Sequence, residues 1–167
     1  MKSLAVRTKG EHYRMKRTPL ILIALLLTAC YAVAASSVPT LPNYQGWKKS
    51  SRKVVTDKKS LFYGIHYIYA DPKALKGYQA GNRFPEGSRI VVEHFNIKGG
   101  DSSVDGKKNM VVLMKKDKKQ KSTGGWLYAG YSADGKASGL DPVKNCFECH
   151  QKEVADRDYV FSSSADF

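Results

Sequence analysis

The chain is short of cysteine, of acid and of helical periodicity, and each shortage narrows what it can be. Only 3 of its 167 residues are cysteine, too few for the disulfide scaffold that holds many small exported domains together. Acidic residues number 15 against 28 Lys and Arg, a formal net charge of +13. No recognition motif accompanies that basic excess, which argues against nucleic acid as a partner. Long stretches with apolar residues every 3.6 positions are missing, so an all-helical bundle is excluded. There is no internal repeat. No Ser-His-Asp set, paired carboxylates or phosphate-binding loop appears either, leaving ordinary hydrolytic or phosphoryl chemistry without residues to perform it.

What is present is concentrated near the C-terminus. Cys146-Phe147-Glu148-Cys149-His150 reads C-x-x-C-H, the attachment signal of a covalently bound c-type haem. Two thiols three positions apart reach the two vinyl groups of one porphyrin and form thioethers. The histidine that follows places its imidazole beneath the iron as an axial ligand. Half of a zinc site and a redox pair use the same C-x-x-C spacing. Zinc needs four ligands, and no second C-x-x-C or H-x-x-x-H completes them. A thioredoxin-like pair belongs early in a βαβ unit, not near the C-terminus.

The N-terminus agrees with an exported haem protein. Lys16-Arg17 precedes an uncharged stretch with Pro19–Leu27 as its apolar core, and Ala32-Val33-Ala34 offers an A-x-A cleavage site. Residues 1–34 therefore read as a signal peptide and 35–42 as a Pro/Ser linker, followed by a domain over 43–167. Leu27-Thr28-Ala29-Cys30 also resembles a lipobox, in which Cys30 would be acylated; an uncleaved anchor is a third arrangement. In each case Cys30 is accounted for, no structural disulfide remains, and any membrane attachment runs through this segment alone. Cleavage after Ala34 removes six basic residues and one acid, leaving a net charge of +8. The remaining lysine runs, at 48–53, 58–59 and 115–121, suit solvated loops and edge strands. They also suit an acidic redox partner. A periplasmic location follows from export.

Leu61–Ala70, Ser88–Ile97, Asn109–Met114 and Gly125–Tyr131 are rich in aromatic and β-branched residues and read as strands. Asp71-Pro72 starts a helix, as N-cap and first helical residue, that ends near Gly81-Asn82. Phe84-Pro85-Glu86-Gly87 is a turn, Gly99–Gly106 a polar loop, and Pro142 to about Val154 a helix carrying the haem motif. Strands with a few separate helices predict an α+β fold, an antiparallel β-sheet with flanking helices and a C-terminal haem-binding helix.

The order Tyr69-Ala-Asp-Pro-Lys-Ala74, Phe84-Pro-Glu-Gly87, Val92-Glu93, Gly125-Trp126, C-x-x-C-H and Asp158-Tyr159-Val160-Phe161 resembles the cytochrome P-460 family, which includes the cytochrome c′-beta proteins. The resemblance spans Leu41 to Phe161. It implies one haem c, a homodimer, and a five-coordinate iron whose far face admits small molecules. Hydroxylamine-oxidising members of the family carry a lysine, cross-linked to the porphyrin, on the strand after the turn. Val92 holds that position here and Ser88–Ile97 contains no lysine. The resemblance therefore implies a protein that binds a small diatomic ligand such as nitric oxide or exchanges electrons. A hydroxylamine- or nitric-oxide-oxidising enzyme is the alternative.

Val92, Trp126 and Tyr159 are the candidate pocket residues beside Cys146, Cys149 and His150. A second axial ligand would make a six-coordinate electron carrier, and His66, His94, Met110 and Met114 are the candidates for it. Strand alternation puts His94 on the same face as Ile90 and Val92, and Glu93 on the opposite one.

Overall fold

The computed structural model describes residues 38–167. The signal segment 1–34, Cys30 and the first residues of the 35–42 linker lie outside the described residues. Among those described, no helix is long and apolar enough to cross a membrane.

The domain is a six-stranded antiparallel sheet of β1 (Lys48–Lys49), β2 (Lys53–Val55), β3 (Gly64–Ala70), β4 (Arg89–Lys98), β5 (Asp101–Lys116) and β6 (Trp126–Ser132). The spatial order is β1-β3-β4-β5-β6, with β2 sharing the free edge of β3 beside β1. Two helices flank it, α1 (Pro72–Gln79) and α2 (Glu148–Val154). This is the expected α+β class.

Local chemistry fixes the elements that matter. Asp71 caps α1 by accepting from Ala74 N at 2.8 Å, and Pro72 begins the helix with a fixed φ and no N–H to satisfy. The buried Asp71 carboxylate also receives Arg89 Nε at 2.9 Å, which ties the helix start to β4. Gly77 lets α1 lie close against Phe84, since a Cβ there would fall 2.4 Å from the Phe84 ring. The turn at Phe84–Gly87 closes with Ser88 N donating to Pro85 O and Gly87 at φ 80.

One expectation needs correction. β5 starts at Asp101, inside the segment read as a polar loop, because the Gly99-Gly100 turn, with both φ positive, folds the chain straight back onto β4. Pairing, not side-chain alternation, makes Asp101–Val104 a strand. The haem segment is helical as expected, opening as a π-helical turn over Pro142–Phe147 and continuing as an α-helix from Glu148.

The sheet has two differently used faces. Tyr69, Val91, Leu113 and Ala129 point to one side, where they pack with Tyr44, Val111 and Tyr131. There the buried Glu93 accepts from Tyr44 (2.8 Å), Tyr69 (3.0 Å) and Lys108 (3.0 Å), so its charge is neutralised and every partner is structural. The other face carries the row Ala70–Ile90–Met114–Tyr128, then Ile68–Val92–Val112–Gly130, then His66–His94–Met110–Ser132. Successive rows stand about 7 Å apart. The first row joins Ala74, Tyr78, Phe84, Trp126, Cys146, Phe147 and Val160 in one core. Gly130, in the second row, admits Leu140 and Ser138 from the segment leading to the haem motif; a Cβ at Gly130 would meet both at 2.5 Å.

Candidate functional site

The C-x-x-C-H segment is positioned by a cap and a π-turn. Asp141 accepts from Val143 N at 2.9 Å and Lys144 N at 3.1 Å, Pro142 follows, and the i to i+5 bond from Glu148 N to Val143 O widens the turn. Such turns recur at functional sites because they redirect side chains within an otherwise helical run. Here Cys146 points into the core and Cys149 is exposed, and both thiols are free. Burial, with Asp141 and Cys149 nearby, pushes the Cys146 thiol up to about 11, so it stays protonated near neutral pH.

His150 is held on three sides. Its ring lies 5.1 Å from Tyr128 and 4.9 Å from Phe161, both edge-on. Its Nδ1 sits 2.7 Å from the carbonyl oxygen of Tyr159. A carbonyl can only accept, so Nδ1 carries the proton and Nε2 presents its lone pair. Burial lowers the pKa of His150, which keeps the ring neutral and able to ligate.

The carbonyl on His150 comes from an unusual piece of backbone. Asp158 (φ 50) and Tyr159 (φ 62) are consecutive residues in the left-handed region, where each non-glycine residue costs about 1–2 kcal/mol. Gly124 makes room for the Tyr159 ring, since a Cβ there would lie 2.4 Å from it. Asp158 is gripped by three elements: Lys116 Nζ meets Oδ1 at 2.5 Å, Phe84 N donates to Oδ2 at 3.2 Å, and Trp126 Nε1 donates to its carbonyl at 2.8 Å. Neither the Lys116 contact nor the strained pair could be read from the sequence, because the partners are 42 positions apart.

The sequence-derived site residues fall around this centre. Trp126 is fully buried in the Cys146 core and spends its N–H on Asp158. Tyr159 packs against that core, its ring 5.6 Å from Phe147. Val92 stands in the second row between Ile68 and Val112, two residues along β4 from the core residue Ile90. His66, His94, Met110 and Met114 all face the same side of the sheet as Val92. Met114 is packed in the core. His94 is buried with both ring nitrogens covered: Nε2 lies 3.0 Å from Tyr63 O and Nδ1 lies against Asn109 Oδ1, with Gly64 close to the ring. Neither nitrogen is free for iron or for a hydrogen bond at a pocket edge. His66 donates Nε2–H to Phe62 O at 3.0 Å.

These residues fit a c-type haem. They supply two free thiols and a neutral imidazole with its tautomer fixed and Nε2 open. Beside them is the buried Tyr128 hydroxyl, which has no hydrogen-bond partner. An orphaned buried hydroxyl beside His150 is unusual in a finished core and is consistent with a group being seated there. Comparison with curated proteins gives no match. A family model described as Cytochrome P460 matches residues 41–162, the same stretch, to within a residue, whose motifs carry the resemblance.

Proposed function

The chain belongs to the cytochrome P460 family and is on that basis a haem c protein; from that premise we propose that it is an exported, periplasmic mono-haem cytochrome that binds a small diatomic ligand such as nitric oxide, or passes electrons, and turns over hydroxylamine poorly. In this reading Cys146 and Cys149 form the thioethers and His150 Nε2 ligates the iron. A haem bound there supplies an iron that takes up small ligands and changes oxidation state.

The protein's own residues do the rest. The Tyr159 carbonyl fixes the His150 tautomer, and Tyr128 and Phe161 clamp the ring so that Nε2 has one direction. The π-turn separates the two thiols, one inward and one outward. A homodimer and an acidic redox partner for the lysine runs belong to the same proposal.

The observation that carries the choice of ligand binding over oxidation is the second row of the sheet. Ile68, Val92 and Val112 make it wholly apolar. The lysine of β4 is Lys98, at the exposed end of the strand, six positions beyond Val92. Two lysines of β5 are engaged, Lys108 with Glu93 and Lys116 with Asp158. No amine is therefore offered to a porphyrin edge from the position that cross-links in the oxidising relatives. An apolar row instead suits an uncharged diatomic ligand.

The test is the ferrous spectrum together with steady-state turnover. A five-coordinate, high-spin haem that takes up nitric oxide and turns over hydroxylamine poorly with an artificial acceptor is the expected result. A strongly red-shifted Soret band, a third chain linkage in the digested haem peptide, or robust hydroxylamine turnover would overturn the choice.

A further inference from the structure

The segment Asp158-Tyr159-Val160-Phe161 has a role beyond packing. Two consecutive left-handed residues, one of them a tyrosine, do not persist unless their surroundings hold them. Two backbone bonds close the bend, Tyr159 N to Val154 O at 3.0 Å and Val160 N to Arg157 O at 3.2 Å, and Asp158 is gripped from outside it by a half-buried ion pair to Lys116 at the end of β5, the backbone N–H of Phe84, and the indole N–H of Trp126 at the start of β6. Lys116 Nζ also lies 4.9 Å from the Trp126 ring centroid, so cation, indole and carboxylate form one cluster. Downstream, Asn82 Nδ2 donates to Ser162 O at 2.9 Å and Arg157 Nη2 to Phe161 O at 2.8 Å, fixing the far end of the segment independently. Between these anchors the bend brings the Tyr159 carbonyl to 2.7 Å from His150 Nδ1.

We propose that Lys116 and Asp158 are positioning residues that hold the strained Asp158–Tyr159 bend, keep the Tyr159 carbonyl on His150, and so set how strongly His150 donates to the iron. This rests on His150 being the axial ligand. An imidazole whose N–H is drawn toward a good acceptor is more electron-rich at its other nitrogen and favours the oxidised metal. Release of the bend lets Tyr159 return to a negative φ and turns its carbonyl away. The iron–histidine bond then weakens and the reduced state gains.

The holoprotein tests this with Lys116→Met, Lys116→Arg and Asp158→Ala, with folding checked by circular dichroism. The readouts are the midpoint potential and the iron–histidine stretch of the ferrous form by resonance Raman. Lys116→Met and Asp158→Ala are expected to raise the potential and lower the stretching frequency. Lys116→Arg restores the ion pair and stays near wild type. A merely structural role for the cluster predicts lower stability in Lys116→Met and Asp158→Ala with unchanged potential and Raman band, and that result overturns the proposal. Should Asp158→Ala not fold, Lys116→Met carries the same expectation, its aliphatic stem still filling the site. Failure of the underlying reading looks different: a wild-type protein with no iron–histidine band, or one whose spectrum is unchanged in His150→Ala.

Discussion

Acidification to about pH 4.5 should cost the folded protein about 2 kcal/mol through His66 alone. His66 is half-buried in β3, directly opposite His94 in β4, with the Phe62 ring edge-on to it and Nε2–H donated to Phe62 O. Burial, reinforced by His94, lowers its pKa to about 4. The folded state thus prefers the neutral ring. Stability is full above the unfolded-state pKa of about 6.5, drains as pH falls from there toward about 4, and changes no further below it. Carboxylates with depressed pKa values, such as Asp134 at about 2, lose their contribution only at lower pH, which leaves the upper window to histidine. Urea unfolding followed by tryptophan fluorescence at about pH 7 and about pH 4.5 reads the effect. With a slope of about 1–3 kcal/mol per molar, the midpoint should fall by roughly 1 M. His150 is also depressed by burial, so the deciding comparison is with His66→Gln, which should be markedly flatter across the same window. Equal slopes in the two proteins would refute the reasoning.

Replacing Cys146 and Cys149 together by Ala should abolish covalent haem, since no other thiol lies in the described domain; mass spectrometry of the mature wild type should show one added haem and of the variant none. Gly77→Ala should lower stability by about 1–3 kcal/mol, despite the better helix propensity of alanine, because the new Cβ meets Phe84 backbone at 2.9 Å as well as its ring. A melting temperature equal to or above wild type would contradict it.

Much of the sheet was legible because its strands announce themselves chemically. Ile65–Tyr69 and Arg89–Phe95 are aromatic and β-branched, Asp71-Pro72 is a helix start by its own hydrogen-bonding logic, and alternation along β4 correctly separated Val92 and His94 from Glu93. Short edge strands escaped: Lys48–Lys49 and Lys53–Val55 carry no pattern of their own and exist because β3 offers them a pairing edge. The first residues of β5 escaped for the same reason. At the site, C-x-x-C-H pointed to haem without help from the fold, whereas the π-turn leaves no periodic trace in side-chain character. That both nitrogens of His94 are occupied depends on Tyr63 and Asn109, and the grip on Asp158 depends on Phe84, Lys116 and Trp126. Such closures at long range are decided by packing, which a single sequence does not display.

The notch at Gly130 has a consequence for how this domain tolerates change. Leu140 and Ser138 are latched into it at one end of the haem segment, and Asp158 is pinned at the other. The chain between these two points is a strap of fixed length, and His150 sits partway along it. Inserting or deleting even one residue within the strap would rotate the histidine away from its carbonyl and displace both thiols. The same edit in the lysine-rich loop between β5 and β6, ahead of Gly124, would be absorbed at the surface. Length, and not only composition, is therefore part of what this site specifies.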